Sequence, residues 1–292
     1  MRTKRMKKLL FILVLTLLTG CGHKPPSADP NAFTFAKVFP DPILAEIIAE
    51  LFDKEKGDTT SVEELAGYTG EFGVWSQGFE DEASNWVTVK SLEGIGYLKG
   101  ITSFFCCKNE VTELPAEIRQ LKNLKKINLN KAFALKIIPS SISELENLEE
   151  LDITFTAIEE LPKEIGQLKS LRILVANYTG ISSLPDEIGD LKNLEELEIQ
   201  GTNITLAPDS ICKLKNLKFL NMGDLGLEKL PDDIGDLQNL ENLFLFSNNL
   251  KNLPRSMEKM TNLQNINLYN NFELSEDYKA FLPKRLWEGK NF

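Results

Sequence analysis

Apolar residues recur along residues 101–274 in two alternating spacings. In Leu161-Pro162-x-x-Ile165-x-x-Leu168-x-x-Leu171-x-x-Leu174 they fall three apart, which suits a helical or 3₁₀-like turn. In Leu240-x-x-Leu243-x-Leu245 the last two fall two apart, as a strand needs to point both to one side. A proline recurs at 115, 139, 162, 185, 208, 231 and 254, at one interval of 24 and then intervals of 23. A fixed period of this size predicts a solenoid in which each unit is one strand plus one return segment. One unit cannot bury its leucines alone, so neighbours must stack, with strands forming a parallel sheet on a concave face and return segments forming the convex back. The proline opens the return segment, where a fixed φ helps and no ladder N–H is required. Eight strand motifs begin at Ile101, Leu124, Leu148, Leu171, Leu194, Leu217, Leu240 and Leu263.

This text resembles the leucine-rich repeat family in its 23-residue form, over residues 92–274. The resemblance implies an α/β solenoid: a horseshoe with a concave parallel sheet, an irregular or helical convex side, and helical caps at both ends. The family's asparagine position, which satisfies backbone groups where the chain leaves the strand, reads Asn109, Ala132, Thr156, Thr179, Thr202, Leu225, Asn248 and Asn271. Threonine partly replaces that amide, and alanine and leucine cannot. Local irregularity is therefore expected at Ala132, whose repeat also holds a one-residue insertion, and at Leu225. A second set, Asn123, Asn147, Asn193, Asn216, Asn239 and Asn262, follows the same period and reads as turn chemistry.

Residues 39–91 predict an N-terminal cap. Asp41-Pro42 followed by Ile43, Leu44, Ile47, Ile48, Leu51 and Phe52 reads as a capped amphipathic helix ending near Gly57, and Ser61-x-x-Glu64 starts a second short one. Residues 39–100, including SLEGIGYL at 91–98, resemble the N-terminal caps of bacterial internalin-like repeat proteins. Residues 275–292 predict a C-terminal cap: Leu274, Tyr278, Phe281 and Leu282 follow Ser275 at helical spacing before Pro283.

The first 20 residues have a different pattern. A basic stretch, MRTKRMKK, precedes the apolar run LLFILVLTLL, which is short for a membrane span and suited to a signal peptide. It closes on Leu18-Thr19-Gly20-Cys21, which resembles the lipobox of bacterial lipoproteins. The resemblance implies lipidation of the Cys21 thiol and cleavage before it, a lipidated tether over residues 21–38 that includes Pro25 and Pro26, and a place in the cell envelope, at an outer membrane or cell surface. Cleavage removes five of 33 basic residues and no acid, leaving 28 against 43 acidic residues, a balance of −15. Such a surface repels nucleic acid phosphates, so no nucleic acid partner is expected, and attachment to a membrane falls to the lipid.

The one histidine, His23, lies in the Pro-rich stretch, so the repeats offer no His-centred catalysis or His-ligated metal. Cys106 and Cys107 are neighbours on a strand and face opposite ways, and Cys212 sits more than four repeats on, beyond disulfide reach. No cofactor is expected apart from the covalent lipid, and no enzymatic activity.

Candidate recognition residues are those outward strand positions that the repeat leaves undetermined. Glu150, Asp152, Glu196 and Glu198 place carboxylates on two strands separated by an apolar one, an arrangement that could mimic a glycosidase pair. An open sheet face offers nothing to raise one pKa above another, so a solvated acidic face is the expectation. Phe219, Phe244, Phe246 and Tyr269 group aromatics on three consecutive strands, with Phe155 and Tyr178 just past earlier strand ends. Exposed aromatics in a concave setting suit an interface anchor, unless a capping segment folds over them. The reading that fits is a lipid-anchored module binding a protein ligand on its concave face. Glycan or cell-wall binding, or a structural role, is the alternative.

Overall fold

The computed structural model describes residues 32–75 and 88–288. Cys21, the signal segment 1–20, the tether up to residue 31 and residues 289–292 lie outside the described residues.

The cap begins earlier than the sequence pattern suggests. Strand β1 (Phe33–Thr34) leads into a single helical turn, α1 (Phe35–Val38), and then α2 (Pro42–Leu51). Phe35 and Phe39 are fully buried, so residues 33–38 belong to the folded body rather than to a tether. The Asp41 side chain caps α2 by accepting from the Ile43 and Leu44 amides at 2.9 and 3.0 Å. Its second oxygen accepts from Lys90 N at 2.7 Å and Ser91 N at 3.2 Å, tying the start of α2 to the end of the cap, where the repeats begin. Helix α2 stops at Leu51 rather than near Gly57, because Asp53 turns left-handed at φ 55° and Lys54 N closes onto Ala49 O. Strand β2 (Thr59–Thr60) pairs antiparallel with β1, and α3 (Val62–Gly67) starts at Ser61, whose hydroxyl accepts from Glu64 N.

Nine strands then form one parallel sheet in strict sequence order: β3 (Thr69–Trp75), β4 (Gly100–Cys107), β5 (Lys126–Asn128), β6 (Glu150–Asp152), β7 (Ile173–Val175), β8 (Glu196–Glu198), β9 (Phe219–Asn221), β10 (Asn242–Phe244) and β11 (Asn265–Asn267). The eight strands from β4 onward are those of the repeat motif. Strand β3 comes from the cap and carries no leucine, yet it pairs with β4 over seven residues and buries Phe72 and Val74. Register sets Leu174 beside Leu197, Leu220 and then Leu243 along the stack, each fully buried. Each contributes about 1.5–3 kcal/mol by leaving water. The prolines at 115, 139, 162, 185, 208 and 254 sit at φ between −61° and −72° and open short 3₁₀ turns on the convex side.

The asparagine position behaves as its chemistry predicts. Asn248 is buried; its side-chain amide donates to Met222 O and Leu245 O at 2.8 Å each, and its oxygen accepts from Leu225 N and Leu227 N. Thr156, Thr179 and Thr202 instead donate one bond each, within their own repeat, to Ile153 O, Ala176 O and Ile199 O. At Ala132 the extra residue is absorbed in a turn in which Leu135 N donates to Ala132 O, leaving Phe133 61% exposed. At Leu225 the chain takes two left-handed residues, Asp224 and Gly226, where the other repeats take one.

The C-terminal cap is not the α-helix its spacing suggests. It consists of two 3₁₀ turns, Glu276–Ala280 and Lys284–Leu286, because Pro283 lacks an N–H and disfavours helical geometry at Leu282. Tyr278, Leu282 and Leu286 are nevertheless buried, and Arg285 donates to Leu263 O at 2.9 Å across the last repeat.

Candidate binding face

Each repeat leaves its strand through one left-handed residue: Lys108, Lys131, Phe155, Tyr178, Gly201, Asp224, Ser247 and Asn270, with φ between 53° and 64°. Only one of these is glycine. Bulky residues rarely adopt this region, at a cost of about 1–3 kcal/mol each, so Phe155 and Tyr178 are held there by their surroundings. The conformation turns both rings over the trailing edge of the sheet, where they stack at 4.8 Å with 6° between planes and stay 38% and 41% exposed. Gly201 makes room for this pair, since a Cβ there would lie 2.5 Å from the Tyr178 ring. Gln200 Nε2 donates to the Tyr178 hydroxyl.

The strand aromatics form a second group. Phe219 and Phe244 pack at 5.2 Å, both half-buried. The ring of Phe246 lies on Gly223, where a Cβ would meet it at 2.5 Å. Tyr269 stands past the end of β11, 59% exposed, and the C-terminal cap does not fold over it. Sequence reasoning missed the exposed Phe133 and Phe272, which also lie just beyond strand ends, and the exposed Ile137 and Leu206, which each precede a convex-side proline by two residues. A usable signal was present: Tyr178 and Gly201, like Phe246 and Gly223, pair an aromatic with a glycine 23 positions away.

The four carboxylates do not form one cluster. Glu150 is ion-paired with Lys126 at 2.8 Å, and Asp152 accepts from Thr154 N at 2.9 Å. On β8, Glu198 accepts from Asn177 Nδ2 at 2.7 Å and shares a hydrogen bond with Glu196. Glu196 corrects the expectation of a uniformly solvated acidic face. Its carboxyl is pushed up to about 7, first by burial, then by the hydrogen bond and charge of Glu198, with Glu150 adding. The half-buried neighbours Ile173 and Phe219, in register with it on either side, limit its contact with water. A glycosidase pair needs a separation of about 5 Å or more to admit the sugar, and two hydrogen-bonded carboxyls on one strand lie closer than that.

The leading edge, where the chain approaches each strand, is polar. Glu195 receives Arg172 Nε and Lys218 Nζ at 2.9 Å each, and hydrogen bonds from both hold its carboxyl down at about 2. A depression there is lined by Glu149, Ser170, Arg172, Asn193, Glu195 and Lys218 among others, away from the aromatic groups. Cys106 is buried and its thiol is pushed up to about 12, first by burial and then by Cys107, which leaves it unreactive. Among the described residues no group of His, Cys, Asp and Glu is placed to hold a metal ion, and no helix is long and apolar enough to cross a membrane.

A sequence model described as a leucine-rich repeat region matches residues 107–206 and 163–284. No curated protein matches the chain. Among solved structures, a leucine-rich repeat protein from Leptospira interrogans is similar at 38% identity and TM-score 0.65 over 70% of this chain. The chain spans about half, 52%, of that protein's length. An internalin C2 from Listeria monocytogenes shares the fold at 21% identity and TM-score 0.67, over 83% of this chain and 100% of that one. The ectodomain of the Arabidopsis thaliana membrane receptor kinase GASSHO1/SCHENGEN3, solved in complex with Casparian strip integrity factor 2, aligns at 26% identity and TM-score 0.55. That match covers 60% of this chain and 22% of the receptor chain.

Proposed function

The chain belongs to the leucine-rich repeat family, whose members commonly mediate protein binding, and from this we propose that it is an exported, lipid-anchored module that holds a protein partner on its concave face. One observation carries the reading: aromatic side chains collect at positions the repeat leaves undetermined, where Phe155 and Tyr178 occupy a costly backbone conformation and remain exposed. The turn imposes this conformation in every repeat, and what distinguishes Phe155 and Tyr178 is that it carries a large aromatic ring to the surface there. Rigid aromatics in a concave setting are suited to be interface anchors. The receptor kinase ectodomain bound to its factor is a precedent within the fold, not a partner for this chain. Members of the leucine-rich repeat family are typically non-enzymatic binding scaffolds, which supports a non-enzymatic role.

The test is capture from cell-envelope and host-surface extracts with the full chain and with a Phe244→Ala/Phe246→Ala variant. Replacing the two rings should leave folding intact and weaken retention of the partner at least tenfold; equal retention by both proteins would remove these rings as anchors. The stacked, exposed Phe155–Tyr178 pair favours glycan binding as a second reading, because sugars also stack on aromatic faces. Loss of retention on adding soluble polysaccharide would select it over a protein partner. Anchoring is tested separately. Cys21→Ser should abolish incorporation of labelled fatty acid and shift the chain from the membrane fraction to the soluble fraction, and unchanged fractionation would reject the lipobox.

A further inference from the structure

The centre of the concave face combines two chemistries. Glu196 and Glu198 both face outward from β8. In register beside them stand Ile173 and Val175 of β7 on one side and Phe219 and Asn221 of β9 on the other, with the Phe244 ring 5.2 Å from Phe219 and Asn177 donating to Glu198. Among the described residues neither glutamate forms an ion pair, whereas the nearby cations are committed elsewhere. Arg172 and Lys218 hold Glu195 on the leading edge, and Lys126 holds Glu150. Two adjacent carboxyls in a half-buried apolar setting repel each other unless a proton or a cation lies between them, and their charge matches a basic group on a partner. We propose that this patch docks a segment of a partner protein that presents one Lys or Arg side chain flanked by apolar side chains, the cation lying against the Glu196 and Glu198 carboxyls.

The proposal rests on the concave-face reading and specifies its partner. The apolar neighbours suit the partner's flanking residues, and the two rings offer faces to a cation. Titratable and charged groups on this face near Glu196 are Glu198 on its own strand, Glu150 and Asp152 on β6, and Lys126 on β5. The outward positions of β7 and β9 contribute none. The linkage has a definite sign. Glu196 titrates at about 7, so the cation competes with a proton below that pH and meets a more negative patch above it. One displaced proton weakens affinity about tenfold between pH 8 and pH 6.

A dodecapeptide display library is panned at pH 8 in parallel on the full chain and on a Glu196→Gln/Glu198→Gln variant whose melting curve shows it folded, and the enriched sets are compared. Enriched peptides should carry Lys or Arg within three residues of an aromatic or aliphatic residue. The best of them, made synthetically, should bind about tenfold more weakly at pH 6 than at pH 8, and Glu196→Gln should abolish that dependence. A peptide that loses binding on Phe219→Ala/Phe244→Ala but is indifferent to the glutamates and to pH overturns the cation and leaves the concave-face reading standing. Peptides indifferent to all four substitutions overturn both. Failure to enrich any peptide on the parent over the variant overturns the proposal, as does spermidine binding with the same affinity and pH dependence as the best peptide, which would reveal a small-cation site.

Discussion

On the leading edge, Asn123, Asn147, Asn193, Asn216, Asn239 and Asn262 each donate to a backbone carbonyl of the preceding repeat at 2.8–3.0 Å, and Glu195 joins Arg172 to Lys218 across three repeats. On the trailing edge, Phe155 and Tyr178 stand at positive φ, and Phe133, Tyr269 and Phe272 expose apolar surface. The same repeat builds both edges. One edge satisfies its polar groups internally and has little left to offer a partner. The other leaves apolar area exposed to solvent. Beneath it a buried asparagine or threonine closes the turn in every repeat but those of Ala132 and Leu225, so Phe155, Tyr178 and Phe272 rest on a polar framework that does not depend on them.

Three substitutions would break or sharpen this contrast. The largest effect is expected from Asn248→Ala under the trailing edge, which strips the side-chain partner from Leu225 N, Leu227 N and Met222 O while Leu245 O keeps Asn271 Nδ2, and should cost about 2–4 kcal/mol in denaturant unfolding. Asn248→Thr should recover part of that loss, as Thr202 does in its own repeat. Next is Gly201→Ala, which places a Cβ at φ 64° and against the Tyr178 ring, for about 1–2 kcal/mol. Combining it with Tyr178→Ala should restore roughly half, the share that comes from the ring; strict additivity of the two would show that the ring does not rest on Gly201. The smallest is Asn216→Ala on the leading edge, where one exposed bond to Lys192 O is lost, at about 0.5 kcal/mol or less. A cost there equal to that at Asn248 would erase the distinction between the edges.

The solenoid was legible because its cause is periodic: leucines, prolines and asparagines repeat, and neighbouring units must bury one another's leucines. Strand β3 was not, because its inward residues are Phe72 and Val74 and it lies outside the 23-residue period. The cap at residues 33–38 was hidden by a Pro-rich preface that made Phe33 and Phe35 look like tether. In the candidate site, strand alternation sufficed to place Phe219, Phe244 and the four carboxylates on the outward face. The left-handed residues did not show, because residues as unlike as Lys108, Phe155 and Ser247 occupy one conformation that the turn imposes. Nor did the elevated Glu196. Its shift depends on how far Ile173 and Phe219 shield it, which is a matter of side-chain packing rather than of strand alternation.

The register, in which each strand residue from β6 to β11 is partnered 23 positions on, also bears on how such a chain can change over generations. Excising or duplicating 23 residues within this stretch brings equivalent positions together again, so ladder, core and turn re-form across the splice. The concave sheet can thus be lengthened or shortened in steps of about 4.8 Å, the spacing of neighbouring strands, while both caps remain untouched. The longer repeat at 132–138 breaks that interchangeability, and a crossover there would leave one residue too many or too few. Heritable variation in the length of this surface is therefore expected on the C-terminal side of the insertion, where the aromatic groups and the paired glutamates lie.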